Sequence, residues 1–323
     1  MTHYRNILIL SAGRRVDLIN AFLVELKQVF SDALVLTTDM NLALSAACQV
    51  ADKAIKVPSI QAENYIDEIF NLCIEEKVGL VIPTIDTELL LLAQHQQRFS
   101  QAGINLIISD QTLVGFCRDK RETAKIFDSL DIPTPTIYSK TAIQFPCFAK
   151  PYDGSSSVGA MVVKDWSSLA KTTLENDKMM FMQLIDRSHD EYTVDAYYDK
   201  QGYLKCLVPR QRLQVRGGEI SKGVTRRHQV YEYLLPKLNQ LNGARGCITL
   251  QLFANLEEMS FFGIEVNPRF GGGYPLSYQA GANYPAWLVR EYLQDQTIPF
   301  FDQWEANLLM LRYDAQVLCH GYP

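Results

Sequence analysis

The first 115 residues of the chain alternate short apolar runs with longer amphipathic segments. Residues 7–10 form a continuous apolar run, which is typical of a strand buried on both faces, and apolar residues then recur near helical spacing. We predict further strands at residues 33–37, 54–57, 79–83 and 105–109, and helices at residues 65–76 and 88–99. Because strands and helices alternate, this part is expected to be an α/β domain with a parallel sheet.

Two polar segments after these strands are candidates for ligand contacts. The turn at residues 11–15 has one glycine and lacks the three-glycine fingerprint of a dinucleotide site, so a turn and cap in a supporting domain is favoured. Asp86 and Glu88 follow the strand that ends at Pro83, at the sheet edge where open α/β folds bind ligands. They either contact a substrate or cap the next helix, and the sequence leaves both alternatives open.

The pattern changes after residue 115, where a helix predicted at residues 119–130 ends before two prolines. A strand at residues 145–149 then leads into Lys150 and a glycine- and serine-rich turn, residues 154–159. Such a turn leaves backbone N–H groups free for phosphate oxygens, and a lysine at its base supplies a fixed positive charge. On these residues alone, a phosphate site and a flexible hairpin are equally open.

Residues 210–227 form a basic, glycine-bearing stretch that contains Lys222. This positive charge is local, because the whole chain has 31 Lys and Arg against 36 Asp and Glu, a net charge of −5. Solvated basic side chains can protect a strand edge from aggregation, and they can also hold a polyphosphate. The segment by itself does not decide between these interpretations.

Composition restricts the class of protein. The 323 residues suffice for about two domains, and 47% apolar with 21% charged residues is typical of a globular protein. The net negative charge argues against nucleic acid or an anionic membrane as the main partner. The sequence has no apolar run near the roughly 20 residues that span a bilayer, and its seven cysteines include no Cys-x-x-Cys pair. We therefore expect a cytoplasmic protein with reduced thiols.

The most specific pattern lies between residues 246 and 269. Residues 246–253 and 261–267 alternate polar and apolar side chains, as half-buried strands do. If the two strands pair antiparallel, Gln251, Glu265 and Asn267 project from one face, and Arg269 follows them. Carboxylate and amide oxygens are suitable ligands for Mg²⁺, and a guanidinium group adds a planar fork for phosphate. The alternative is a strand pair with a polar solvent face.

Taken in order, these motifs resemble the ATP-grasp superfamily, in particular one synthetase unit of the carbamoyl-phosphate synthase large subunit. The resemblance rests on Asp119-Lys120, on residues 145–151 with the turn that follows, on Glu191-Tyr-Thr-Val-Asp195, and on the cluster from Gln251 to Arg269. It implies a Rossmann-like parallel α/β domain followed by an ATP-grasp fold of two α+β subdomains. The implied domains are a supporting domain, a small lid subdomain and a large catalytic subdomain, at residues 1–115, 116–183 and 184–323.

The resemblance also implies that ATP, with Mg²⁺ or Mn²⁺, lies between two antiparallel sheets. The residues implied for nucleotide binding are Lys120, Lys150, Gly154, Ser155, Ser156, Gln183, Leu184, Ile185 and Glu191. Position 183 is more usually Glu in such enzymes. The implied metal ligands are Gln251, Glu265 and Asn267, and the implied catalytic residues are Arg269, on the transferred phosphoryl group, and Lys222.

The activity implied by this resemblance is ATP-dependent ligation of a carboxylate to an amine, often that of an amino acid, through an acyl phosphate. Carbamoyl-phosphate synthase has two synthetase units in tandem and this sequence holds one, so carbamoyl phosphate synthesis is not expected. A nucleotide-binding regulatory or scaffold protein without turnover is the alternative. The sequence names neither substrate, and it leaves open whether the protein is a homodimer.

Overall fold

The computed structural model describes residues 4–154 and 158–322 of the chain. The strands are β1 (Asn6–Ile9), β2 (Val35–Asp39), β3 (Lys53–Lys56), β4 (Val78–Ile82), β5 (Asn105–Leu106), β6 (Ile137–Tyr138), β7 (Cys147–Pro151), β8 (Met161–Val163), β9 (Met179–Gln183), β10 (Asp190–Tyr198), β11 (Leu204–Arg216), β12 (Glu219–Thr225), β13 (Gly246–Asn255), β14 (Ser260–Asn267) and β15 (Leu309–Leu311). The helices are α1 (Val16–Val29), α2 (Ala46–Val50), α3 (Tyr65–Glu75), α4 (Asp86–Gln101), α5 (Gln111–Arg118), α6 (Lys120–Ser129), α7 (Lys171–Glu175), α8 (Gln229–Leu238), α9 (Tyr274–Gln279) and α10 (Tyr284–Leu288).

The N-terminal part is a parallel sheet of five strands in the order β3-β2-β1-β4-β5. Strands β1 and β4 lie at its centre, and β4 is buried along its whole length, which explains why their sequences are continuous apolar runs. Helix α1 buries Leu18, Ile19, Phe22 and Leu26, which recur at helical spacing. The α/β domain predicted from the sequence is therefore confirmed, with element ends shifted by one to three residues.

A small antiparallel sheet follows, in the order β6-β9-β7-β8. It has its own apolar cluster, formed by Ile143, Cys147, Ala149, Val163, Met179 and Phe181. Strands β7 and β8 flank the glycine- and serine-rich turn as an antiparallel pair. The small sheet therefore has an apolar core of its own, separate from the core of the large sheet.

The large sheet is antiparallel, in the order β14-β13-β10-β11-β12-β15. The predicted antiparallel pairing of β13 with β14 is confirmed, with Gln251 opposite Glu265 and Thr249 opposite Asn267. The basic stretch forms the β11–β12 hairpin, which turns at Gly217 and Gly218, both with positive φ. The α/β and antiparallel parts together give the fold class that the sequence predicts.

The domain boundaries remain predictions. Residue 115 lies inside α5, and residue 183 is the last residue of β9. Within residues 4–154 and 158–322, no helix combines the length and the apolar character that crossing a membrane requires.

Helix α6 packs closely on β14, because Gly263 leaves room for the ring of Phe127. A Cβ atom at Gly263 would lie 2.4 Å from Cδ1 of Phe127, whose side chain is buried. Gly263→Ala should therefore lower the free energy of unfolding by about 1–3 kcal/mol. The measurement is equilibrium urea unfolding.

Gly115→Ala is the matched control for this variant. Gly115 lies in α5, and a Cβ atom there would meet no atom within 4 Å. It should leave stability unchanged or raise it by up to about 1 kcal/mol, because alanine favours a helix. Equal stability of the two variants would contradict the close packing of α6 on β14.

Candidate active site

A cavity lies between the small sheet and β14. Lys120, Phe127, Lys150, Met182 and Ile264 are among the residues that line it. Its wall combines apolar side chains with two lysines, but its volume is about 10 Å³, so it would have to widen to admit a ligand with a flat apolar end and an anionic end. The structure thus brings Lys120 and Lys150, two of the predicted nucleotide-binding residues, to one cavity.

Lys120 begins α6, and its position is tied to the turn after β7. Its backbone N–H donates to the carbonyl oxygen of Tyr152 at 3.0 Å, and its Nζ donates to the carbonyl oxygen of Gly154. Arg118 also donates, through Nη1, to the carbonyl oxygen of Asp153 at 2.7 Å. Two cations therefore hold the start of the predicted turn, Arg118 at Asp153 and Lys120 at Gly154. Ser155 and Ser156, also predicted to bind nucleotide, lie outside the described residues.

Lys150 differs from the sequence expectation, which placed it at an accessible strand end. It lies within β7 and is only 8% exposed. Burial lowers the pKa of Lys150 to about 8, although Glu265 partly offsets this and Lys120 adds a smaller lowering. The side chain of Lys150 thus carries a destabilised positive charge that an anionic ligand would neutralise.

Gln183, predicted to bind nucleotide, is the last residue of β9. The backbone N–H of Gln183 donates to the carbonyl oxygen of Thr136 at 2.8 Å, and its Oε1 accepts from the N–H of Thr136 at 3.3 Å. Leu184 and Ile185 come next and are half-buried. The amide of Gln183 therefore holds the segment before β6 against β9, which is a positioning contact.

The three predicted metal ligands share one face of the large sheet. Gln251 lies opposite Glu265, and Asn267 lies two residues further along β14. Asn267 is 5% exposed, whereas Gln251 and Glu265 are half-buried. The described residues include no group of three or more His, Cys, Asp or Glu side chains that could hold a metal. One carboxylate with two amides suits Mg²⁺ when phosphate oxygens and water complete its coordination, so the donor set fits this metal beside a nucleotide.

Glu191, predicted to bind the ribose, is paired with an arginine. Nη1 of Arg212 lies 2.8 Å from Oε1 of Glu191. Burial raises the pKa of Glu191, Arg212 opposes this, and Glu265 adds to it. Glu191 and Glu265 are therefore close enough to influence each other. In the sequence, Arg212 is only one residue of a basic stretch. In the structure it lies next to the Tyr192–Gln211 pair of β10 and β11, where it forms an ion pair with Glu191.

The sequence did not reveal a buried ion pair that lies further along this face of the sheet. Asp195 and Arg210 are both fully buried, with Nε of Arg210 2.8 Å from Oδ2 of Asp195. Asp195 also accepts hydrogen bonds from the hydroxyl groups of Thr249, at 3.1 Å, and Ser277, at 2.6 Å. The alternation of Glu191, Thr193 and Asp195 along β10 was the only available sign that Asp195 faces the same way as Glu191.

Arg269, the predicted catalytic arginine, pairs with Asp86 of the N-terminal domain. Its Nη2 lies 2.8 Å from Oδ2 of Asp86, and its Nε donates to Oδ1 at 3.1 Å. Burial opposes the charge on Arg269, but Asp86 outweighs this effect and raises the pKa of Arg269. Asp86 is thus part of the site through Arg269.

Glu88 caps helix α4, which is the second of the two roles that the sequence left open for it. It is fully buried, and its carboxylate accepts hydrogen bonds from the backbone N–H of Thr84 at 2.9 Å and the hydroxyl groups of Ser11 and Tyr65. These contacts fix the start of α4.

Lys222 is exposed on β12, and three strands separate β12 from β14 in the sheet order. Its predicted catalytic role remains untested.

Two antiparallel sheets around a cavity with two lysines, preceded by a parallel α/β domain, define the ATP-grasp class of fold. Comparison with family models agrees with this class. Residues 175–309 match a family described as ATP-grasp in the biosynthetic pathway with Ter operon, and residues 7–107 match the PylC-like, N-terminal domain. The ATP-grasp fold predicted from the sequence is confirmed. A search of curated proteins found no match.

Solved structures with the same fold include three enzymes. The biotin carboxylase domain of the 2-oxoglutarate carboxylase from Hydrogenobacter thermophilus, in complex with MgADP, ADP and bicarbonate, superposes with a TM-score of 0.73 at 14% identity, over 94% of this chain and 73% of that chain. The N5-carboxyaminoimidazole synthetase from Staphylococcus aureus, complexed with ADP, gives a TM-score of 0.71 at 13% identity, over 95% and 79%. The L-amino acid ligase from Bacillus licheniformis gives 0.68 at 15% identity, over 91% and 75%.

The buried position of Lys150 leads to a prediction about stability. Since folding lowers its pKa from 10.5 to about 8, Lys150→Met should raise the free energy of unfolding at pH 7 by roughly 1–3 kcal/mol. The folded state binds fewer protons than the unfolded state between these two pKa values, so wild-type stability rises with pH across this window. The advantage of Lys150→Met should therefore shrink as the pH approaches 10.5. Urea unfolding at several pH values measures this.

Lys56→Met, at an exposed position of β3, is the control and should change stability little at any pH. A loss of stability in Lys150→Met at pH 7 would show that the buried ammonium is already compensated in the free protein.

Proposed function

We propose that the protein is an ATP- and Mg²⁺-dependent ligase that joins a carboxylate to an amine through an acyl phosphate. The observation that carries the proposal is the placement of Gln251, Glu265 and Asn267 on one face of the large sheet, near Lys150 of the opposing sheet. A nucleoside triphosphate between them would contact cations on one side and metal-binding oxygens on the other.

Nucleotide binding uses the cavity described above. The apolar wall around Met182 and Ile264 accepts the base, and the two lysines reach the phosphates. Lys120 must release the carbonyl oxygen of Gly154 to do so, which couples phosphate binding to the turn after β7. A structural relative, the biotin carboxylase domain from Hydrogenobacter thermophilus, was solved with MgADP, which supports this assignment.

The first chemical step would form the acyl phosphate. A carboxylate oxygen of the substrate attacks the γ-phosphorus, the bond from the γ-phosphorus to the bridging oxygen breaks, and ADP leaves with that oxygen. Mg²⁺, held by Glu265, Asn267 and Gln251, would neutralise the phosphate charge. Arg269 lies two residues after the same strand and would offer its guanidinium group to the transferred phosphoryl.

The second step would form the amide. The amine attacks the acyl carbon, inorganic phosphate leaves, and the amine loses a proton. Residues 271–273 are glycines directly after Phe270, so the substrates can approach the backbone there. One relative is an L-amino acid ligase, which supports an amino acid as one of the substrates.

Two measurements test the proposal. Calorimetric titration with a non-hydrolysable ATP analogue should show binding that strengthens with Mg²⁺. ADP release should then depend on adding a carboxylate and an amine from pooled compounds. Binding without any dependent ADP release would favour the alternative, a regulatory or scaffold protein that binds nucleotide without turnover. Absence of binding would contradict both.

Glu265→Gln should separate binding from chemistry. Glu265 is the only formal negative charge among the three proposed ligands, so its loss should reduce kcat for ADP formation by about 10²-fold or more. The Kd of the ATP analogue should change less, because the lysines also hold the phosphates. Glu258→Gln, on the exposed turn after β13, is the matched control and should keep wild-type kinetics. Wild-type turnover in Glu265→Gln would refute the metal assignment.

A further inference from the structure

The turn after β1, residues 11–15, reaches the catalytic subdomain through its arginines. Nη1 of Arg15 donates to the carbonyl oxygen of Phe270 at 3.0 Å, and its Nη2 donates to that of Thr84 at 2.8 Å. Arg14 lies 2.8 Å from the carboxylate of Glu219, at the start of β12. A turn that the sequence suggested for a supporting domain thus forms one wall of the space beside residues 270–273.

Arginines from other elements complete this wall. Nη2 of Arg312 donates to the carbonyl oxygen of Gly272 at 2.6 Å, and its Nη1 lies 3.1 Å from Glu219. Nη1 of Arg269 donates to the carbonyl oxygen of Phe270 at 3.3 Å. The loop of residues 270–273 is therefore surrounded by guanidinium groups from three separate parts of the chain.

Fewer carboxylates than arginines form ion pairs in this cluster. Arg14 and Arg312 share Glu219, and Arg269 pairs with Asp86. Among the described residues, Arg15 forms no ion pair, and its hydrogen-bond acceptors are neutral carbonyl groups. Burial, followed by repulsion from Arg269, lowers the pKa of Arg15 to about 10, although Glu219, Asp86 and Glu88 oppose this. An arginine without an ion pair, beside two that share one carboxylate, favours an anionic ligand, in a chain whose net charge is −5.

The glycine loop brings a further cation to the same place. A Cβ atom at Gly273 would lie 2.2 Å from Nη1 of Arg210, and this buried atom has no hydrogen-bond partner among the described residues. A Cβ atom at Gly272 would lie 3.0 Å from the carboxylate of Glu219. Side chains at these positions would clash with the charged groups, so the glycines allow Arg210 and Glu219 to lie directly against the loop backbone.

We propose that Arg14, Arg15 and Arg312 bind an anionic group of a substrate that is separate from the carboxylate activated by ATP. The proposal rests on the ligase function proposed above and specifies its substrate class: one substrate carries a second negative charge, as a dicarboxylate, an acidic amino acid or a phosphorylated acid does. Glu219 occupies two of these arginines in the free protein, so the anion would replace it as their partner.

The reacting group and the second anion belong to different parts of the cluster. Arg269 follows the strand with the metal ligands, whereas Glu219 and Arg312 lie at the other end of the loop, against Gly272. Arg15 lies between them, because it contacts Phe270 and its pKa is affected by both Arg269 and Glu219. A substrate with two anionic groups could therefore reach both ends.

The test compares matched anions by calorimetry on the full chain saturated with Mg²⁺ and a non-hydrolysable ATP analogue. The probes are butyrate, glutarate, L-glutamate and 3-phosphoglycerate. The wild-type protein should bind at least one doubly anionic probe about tenfold or more tightly than butyrate. The glutarate and 3-phosphoglycerate arms distinguish a carboxylate from a phosphate as the second group. No preference for any of these probes over butyrate would overturn the proposal.

The variants Arg312→Gln and Arg14→Gln should each remove most of this preference, while leaving the Kd for the ATP analogue unchanged. Arg14 is 76% exposed at its side chain, so Arg14→Gln should fold even if Arg312→Gln does not. Arg290→Gln, at another exposed arginine, is the control and should keep the wild-type preference. An unchanged preference in both arginine variants would overturn the proposal. If the wild-type protein failed to bind the ATP analogue, the proposed ligase function would fall instead, so the two failures are distinguishable.

Discussion

The buried pair between Asp195 and Arg210 is the interaction on which the candidate site most depends. Both side chains are fully buried, so each charge needs the other, and removing one partner of such a pair typically costs 3–5 kcal/mol. Asp195 completes its hydrogen bonds with Thr249 of β13 and Ser277 of α9. One carboxylate therefore joins two further elements of the large subdomain to the β10–β11 pair.

This network fixes both ends of the segment that carries the chemistry. The hydroxyl group of Thr249 also lies 3.1 Å from the carbonyl oxygen of Arg269, directly after the strand with the metal residues. At the other end, the guanidinium group of Arg210 lies against Gly273. Buried polar groups of this network therefore hold the backbone from Asn267 to Gly273 in place. Precise placement of this kind is what phosphoryl transfer requires, because the protein contributes chiefly position and charge.

Local patterns in the sequence predicted the sheets and much of the site. Period-two alternation placed Gln251, Glu265 and Asn267 on one face, because that period is a direct property of an extended strand. The pattern could not show that Arg269 pairs with Asp86, since 183 residues separate them and only the docking of the two parts brings them together. The burial of Lys150 was missed for the same reason, because the strand β14 that covers its cavity lies more than a hundred residues later.

The basic stretch shows where charge counting fails. Residues of one segment have three different environments: Arg210 is buried against Asp195, Arg212 is paired with Glu191, and Lys222 is exposed. Which of these a residue meets depends on the face of the strand and on the neighbouring strands, and the two irregularities in the β11–β12 pairing shift that face along the hairpin. Composition therefore shows that this segment is basic, but it does not show which of its residues are buried, paired or exposed.

The free protein holds several like charges close together, and this arrangement has a functional consequence. Burial lowers the pKa of Lys150 in the cavity and that of Arg15 beside the glycine loop, and Lys120 and Arg269 add to these shifts while nearby carboxylates oppose them. Burying these charges opposes folding, so they persist only because the surrounding packing and the Asp195 network outweigh this cost. An anion that binds at either place compensates a buried charge, and its binding energy is then larger than at an already neutralised site. Two such places, one facing the metal residues and one facing the N-terminal domain, would favour ligands whose negative charges are divided between them.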